Sequence, residues 1–441
     1  MSFSRRSFFR IAGTSLVGSY FADVLDPRML LAETTTSSVT LRNSAKSCIF
    51  IFLAGAPSQI DTWDLKEGSW TPAALQPTSY GELRWPQGLL PKTAAHLDKL
   101  TIVRSALAWA AVHQLGQTWA QISRNPTGAT GAIAPHIGAV VALEAQASRT
   151  PADVLPGFIA LNSAGIPTCG YLPARYAPFG IEPAAEGLST LVHPAGAERF
   201  ARRWELLHRL DAARATGALG KASMDMNDFY DQSKTLMDAP GINTLFSYDE
   251  GEYARYGGTS FGASLILARN LVAAKKGTRF VQVTQGGWDH HSDIYDPEAN
   301  QSLFAQCAEL DGGLGALLTD LAAMDILKET LVVIVSEFGR TVGPLNQQAG
   351  RDHYLLNSIV VAGGGTRGGR TIGVTSPTGD TAVNFGWKAN RYVRPEDLTC
   401  SIYSALGIDY TKVRHDDPLG RGFEYVPFAS AGTYEPIEEL W

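Results

Sequence analysis

Cysteine is scarce in this chain: four residues in 441, at Cys48, Cys169, Cys307 and Cys400, with no CxxC pair among them. That is too few for a disulfide scaffold, and Cys48 and Cys400 fall inside apolar patterns typical of a core. A basic excess is missing as well. Lysine and arginine number 37 against 43 acidic residues, a net charge of −6, so nothing favours displacement of counterions from phosphate backbones and nucleic acid is not an expected partner. No apolar run is long enough to span a bilayer, and no transmembrane segment is expected in the mature chain. No tandem repeat is visible. What is present is 45% hydrophobic and 18% charged residues, the balance of a globular protein with one large core and room for an insertion.

The N-terminal stretch "SRRSFFRIAGTSLVGSYFADVL" joins Arg5 and Arg6 to Phe8 and Phe9 and to a short, weakly apolar run. It reads as a twin-arginine export signal over residues 1–32, which makes the twin-arginine translocase a partner during export and the periplasm or cell envelope the expected location. The run is too short and too rich in Gly and Ser to span a bilayer, so it would be removed or remain as a loose tether. Residues 33–46, "ETTTSSVTLRNSAK", read as a polar linker.

From residue 47 onward, short apolar runs of the kind buried on both faces of a parallel sheet recur at 48–53, 101–103, 157–161, 279–284, 331–335 and 358–362. Helical patterns separate several of them: 260–276, ending in two lysines before Gly277; 302–323, with leucines at helical spacing; and 395–406, opened by Pro395 and stopped by Gly407. The expected fold is therefore α/β, a mostly parallel sheet flanked by helices. Residues 150–250 change in character, proline-rich and aromatic first, then charged and helical, and read as a cap insertion. Loops following the strands at 284 and 335 should emerge at the carboxyl edge of the sheet, where open α/β sheets bind ligands.

Those two loops carry the ionisable residues. The first, "QGGWDHHSDIY", holds Asp289, His290 and His291, and Trp288 could wall a pocket there. The second, "SEFGRTVGPLNQQAGRDHYLLN", holds Glu337 and returns with Arg351, Asp352 and His353. Carboxylates and imidazoles gathered from successive strand ends suit a divalent metal, zinc above all, with calcium, magnesium or manganese as alternatives. In extended backbone Asp289 and His291 share a side and His290 points away. Arg340 and Arg351 flank the candidate ligands; guanidinium groups match phosphate or sulfate bidentately, or pair with the site's own carboxylates. His96, His193, His208 and His415 sit in solvated contexts; His136, in "APHIGAVVALE", could begin a helix near the site, though a surface position is the first expectation.

In order, "RYGGTSFGASLILARNLVAAKKGTRFVQVTQGGWDHH", "LVVIVSEFGRT", "GRDHY" and "VAGGGTRGGRTIGVTS" resemble the hallmark segments of exported bacterial proteins grouped as "domain of unknown function 1501", similar in turn to the alkaline phosphatase and sulfatase superfamily. The resemblance covers roughly residues 45–410. It implies an alkaline-phosphatase-like fold, with Asp289, His291 and His353 holding a zinc-like ion and Glu337 standing where a ligating Asp is found. Phe338 occupies a position commonly held by His. Asp61, in "AGAPSQIDTWDLK", is the nearest match to the superfamily's first metal carboxylate. Where the superfamily places a nucleophile, this chain has "VRSALAWAAVHQLGQTWAQIS", with His113 near that place as a replacement ligand or the nucleophile itself, and Ser105 and Thr118 as nearby hydroxyls. The implied function is a metal-dependent hydrolase of phosphate or sulfate esters acting on a small-molecule or polysaccharide ester; the competing reading is a metal-containing, non-catalytic binding protein of the cell envelope.

Overall fold

The apolar runs assemble into one eight-stranded sheet whose core strands have almost no contact with water. The computed structural model describes residues 39–191, 193–210, 220–299 and 301–441; the signal at 1–32 and the first part of the linker lie outside them. Residues Leu41–Trp441 form one compact unit. The strands of the main sheet are β1 (Ser47–Leu53), β2 (Leu100–Leu107), β3 (Phe158–Leu161), β4 (Phe179–Ile181), β5 (Phe280–Gln285), β6 (Thr330–Val335), β7 (Leu356–Gly363) and β8 (Arg370–Ile372). Their order across the sheet is β8-β2-β7-β6-β1-β5-β3-β4. All pairs are parallel except the two made by β7, which runs antiparallel to both β6 and β2.

Side-chain alternation along β1 divides the core. Ile49, Ile51 and Leu53 join a cluster with Phe261, Leu265, Leu310 and Leu314, from helices α5 (Ser260–Ala274) and α6 (Leu303–Ala323). Phe50 points the other way and meets Phe280 at 5.7 Å between ring centroids. That second layer is completed by α1 (His113–Ile122), α2 (Ile137–Ala145) and α7 (Pro395–Ala405). Cys48, Ile49, Phe50 and Ile51 are all fully buried; burial of each large apolar side chain contributes about 1.5–3 kcal/mol, which is why these runs occupy the centre. The four cysteines are buried.

One sequence expectation meets a different arrangement. His136 is not a surface residue: it is fully buried, stacks on Phe158 at 4.7 Å, and caps α2 by accepting the Gly138 N–H at 2.9 Å. Segment 150–250 contributes β3 and β4 to one edge of the main sheet before turning into α3 (Ala197–Leu210) and α4 (Lys221–Asp238). The later part of the linker is tied down, with Asn43 and Ala45 donating to the Ser404 and Ala405 carbonyls at the end of α7. Among the described residues no helix is long and apolar enough to cross a membrane.

Candidate metal centre

Because β5 and β6 flank β1 in parallel register, the chain leaves all three strands at the same edge. Main-chain bonds then stitch the loops together: Arg351 N–H donates to the His290 carbonyl at 2.9 Å and Ile294 N–H to the Ala349 carbonyl at 3.0 Å. A two-residue ribbon pairs His353 with Arg340 and Tyr354 with Gly339. Close approach demands glycine at two points. A Cβ on Gly350 would lie 2.0 Å from the His291 carbonyl carbon, and one on Gly55, whose φ is +108°, only 2.7 Å from the Asp289 nitrogen.

These contacts bring His113, Asp289, His291 and His353 together, with one donor atom from each lying within 4.8 Å of all the others. Asp289 Oδ1 is 3.1 Å from His113 Nε2, 3.1 Å from His291 Nε2 and 3.6 Å from His353 Nε2. His291 Nε2 and His353 Nε2 face each other at 2.9 Å. A tetrahedral ion with bonds of 2.0–2.1 Å would space its ligand atoms about 3.4 Å apart, close to these separations.

The opposite nitrogen of every imidazole is committed. Nδ1 of His113 donates to Glu337 Oε1 at 2.8 Å, Nδ1 of His291 to Asp352 Oδ1 at 3.0 Å, and Nδ1 of His353 to the Ala111 carbonyl at 2.7 Å. None of these acceptors has a proton to return, so in each neutral ring the lone pair sits on Nε2 and points into the cluster. Three such lone pairs converging on a carboxylate oxygen call for positive charge, which Arg340 supplies from one side, its Nη1 3.4 Å from His291 Nε2 and its Nη2 2.5 Å from Asp289 Oδ1; the same carboxylate or carbonyl backing is what orients metal-bound histidines. The residues fit a divalent ion of the zinc type. The cluster is open on one side, since the Asp289 and His291 side chains are 47% and 41% exposed.

Charge tuning follows from this geometry. The Glu337 hydrogen bond raises the His113 pKa. Burial lowers that of His353. Burial opposes ionisation of Asp289, but the Arg340 hydrogen bond and charge prevail and hold its carboxyl at about 2. His290 lies outside the cluster, is 3% exposed, and has its pKa lowered to about 4 by burial.

Other candidates take different places. Glu337 is not among the four: its Oε1 also accepts from Gly55 N–H at 2.8 Å and Gln117 Nε2 at 3.0 Å, so it braces His113 from behind. Asp61 is sealed in the interior, its oxygens held by Arg351 Nε at 2.7 Å, Ser58 Oγ at 2.6 Å and Tyr295 Oη at 2.6 Å. Arg351 is fully buried on that carboxylate and on the Thr341 and Gly343 carbonyls, so its guanidinium faces no substrate. Arg340 is spent on the Ala56, Gly55 and Arg351 carbonyls and on Asp289 Oδ1 at 2.5 Å. Trp288 is fully buried in the core. Ser105 donates to the Phe385 carbonyl and Thr118 to that of Gln114; among the described residues no serine, threonine or cysteine side chain is hydrogen-bonded to the four. Phe338 packs on His113 and His353, at 4.8 and 4.6 Å between centroids. Sequence reasoning missed the Ala111 carbonyl and Gln117; a main-chain acceptor leaves no trace in residue identity, and Gln117 is legible only as one helical turn beyond His113.

The family model described as "Protein of unknown function (DUF1501)" matches residues 45–427. No curated protein matches the chain. Among solved structures it is similar to Ps i-CgsB in complex with k-i-k-neocarrahexaose, with 11% identity, 89% of this chain and 77% of that one covered, and a TM-score of 0.42. It is likewise similar to the PsFucS1 sulfatase from Pseudoalteromonas sp., with 11% identity, 83% and 68% covered, and a TM-score of 0.41. For the lipoteichoic acid synthase LtaP from Listeria monocytogenes the values are 10%, 89% and 78%, and 0.39.

Proposed function

The chain belongs to the DUF1501 family, and we propose that this member is an exported, metal-dependent hydrolase of phosphate or sulfate esters, working in the periplasm or cell envelope after twin-arginine export. One observation carries the reading: three imidazoles, each tied at Nδ1, turn their Nε2 lone pairs onto Asp289 beside open solvent. His113, Asp289, His291 and His353 would hold the ion, which supplies Lewis acidity towards an ester oxygen and towards water.

The chain's own residues do the rest. Glu337, Asp352 and the Ala111 carbonyl fix the tautomers and aim the rings, so that little reorganisation is needed when an anionic ester arrives. Arg340, buried against Asp289, offsets negative charge that would repel such a substrate. Phe338 closes the back of the cluster to water.

A second reading has its own support. With no hydroxyl or thiol among the described residues bonded to the cluster and both arginines committed internally, a non-catalytic metal-containing envelope protein would use the same residues. Protein purified after native export, analysed for metal and assayed against aryl phosphates and sulfates, separates the two. A stoichiometric divalent ion with turnover abolished by chelator supports the hydrolase; metal without turnover supports the binding protein; no metal overturns both.

A further inference from the structure

Helix α3 (Ala197–Leu210) contributes nothing to the core: none of its 14 residues is buried. Phe200, Trp204 and Leu207 share its one half-buried stripe. That stripe faces α4, where the Trp204 and Tyr230 rings lie 6.3 Å apart and Lys234 Nζ sits 5.9 Å from the centroid of Phe200.

The neighbouring stripe faces solvent. Arg199, Arg203, Leu206 and Leu210 follow one another in steps of four, three and four residues, which aligns them along one side of the helix. Leu206 is 47% exposed and Leu210 73%. Both arginines are exposed as well. Among the described residues neither has a carboxylate within ion-pair reach, whereas Arg202, at the edge of the stripe, pairs with Glu198 at 2.6 Å. The same pair of helices exposes Met224, Met226 and Phe229 on α4, and apolar surface gathered in one place marks contact with something else. Charge says what kind. The chain carries a net charge of −6, yet α3 holds four arginines against two glutamates, a local reversal of sign that favours an anionic surface.

We propose that this stripe of α3 docks the protein on an anionic phospholipid bilayer, lying on the surface without crossing it. Leu206 and Leu210 enter the boundary between headgroups and acyl chains. Arg199 and Arg203 lay their apolar stems beside them and return their guanidinium groups to lipid phosphates, which they match bidentately. The outer side of a helix is convex and offers no groove for a peptide or for the side chain of a folded partner; a bilayer is planar and fluid and needs none. A second copy of the stripe brings no acidic group to meet the arginines. The inference rests on α3 alone and is independent of the metal cluster and of the hydrolase reading.

The test is co-sedimentation of the natively exported protein with vesicles of phosphatidylglycerol and phosphatidylethanolamine, and with vesicles of phosphatidylcholine alone. Binding to the anionic vesicles should be at least about tenfold tighter than to the neutral ones. Arg199→Gln with Arg203→Gln should weaken it about 25-fold, at about fivefold for each arginine near an anionic surface. Leu206→Asn with Leu210→Asn should weaken it at least about tenfold, through loss of inserted apolar area. Arg421→Gln removes an exposed arginine elsewhere and should bind as the wild type does. Absence of vesicle binding, equal binding to both vesicle types, or full binding by either double variant overturns the proposal, as does an Arg421→Gln loss equal to that of the arginine pair. A dimer in light scattering that Leu206→Asn with Leu210→Asn disrupts, in protein that ignores vesicles, assigns the stripe to a second copy and overturns the lipid assignment. Should the leucine pair fail to fold by its melting curve, the arginine pair, which leaves the apolar surface untouched, decides.

Discussion

His291 and His353 face each other through their Nε2 atoms at 2.9 Å, while Asp352 and the Ala111 carbonyl hold the Nδ1 atoms. Two neutral rings in those tautomers direct lone pairs at one another. The contact is repulsive alone and favourable around a cation, so the pair behaves as half of a preformed ligand set.

His353→Ala should therefore lower metal content and thermal stability together, because an ion bound only to the native state adds to folding free energy, about 2.7 kcal/mol when free metal is a hundredfold above Kd. Elemental analysis and a melting curve with and without chelator check this. A metal-free wild type that melts at the same temperature as His353→Ala would remove the site from consideration.

Glu337 and Asp61 make opposite predictions. Glu337→Gln keeps an acceptor for His113 but loses the charge, and should weaken metal binding about 10–100-fold, the usual effect of removing a carboxylate that backs a ligand. Asp61→Asn should leave metal stoichiometry unchanged and destabilise the fold by about 3–5 kcal/mol, since Arg351 is stranded in the interior. Competitive metal titration and urea unfolding of both variants distinguish bracing from ligation. Loss of metal in Asp61→Asn protein that remains folded would show that this division of roles is wrong.

Acid sensitivity should arise partly at His136, far along the chain from the metal cluster. Burial holds its pKa at about 3 in the native state, against about 6.5 in the unfolded chain. Between those values the unfolded state binds a proton that the native state refuses. Stability is thus fully present above pH 6.5 and falls as pH drops toward 3, by up to about 1.4 kcal/mol per pH unit. His136→Asn retains an oxygen for the Gly138 N–H and should flatten that part of the profile in urea unfolding at stepped pH. An unchanged slope would mean that other groups carry it.

Residues 1–32 fused to a reporter that folds before export should carry it across the inner membrane, and Arg5→Lys combined with Arg6→Lys should stop it. Fractionation of cells expressing both fusions is the check. Export of the double-lysine fusion at the normal rate would rule out the twin-arginine route.

How much of the site was legible depended on what each residue's role requires. Asp289, His291 and His353 stand within a few residues of strand ends, and β-strand periodicity with the parallel-sheet rule was enough to bring their loops to one edge. Asp61 and Arg351 looked equally functional by residue type and position. Only the packing revealed that they neutralise each other in the interior.

The sequence by itself determined the layered α/β core, because continuous apolar runs alternating with helical patterns have few other ways to leave water. It also determined which loops would carry the polar cluster, since strand order and direction set where those loops emerge. The tertiary structure alone decided that His113 joins Asp289, His291 and His353 in one cluster, that Glu337 braces it, and that both arginines turn inward. Those assignments rest on distances of about 3 Å between residues more than two hundred positions apart in some cases. Residue type at such separations constrains what a side chain can do, but only the folded backbone selects which partner it meets.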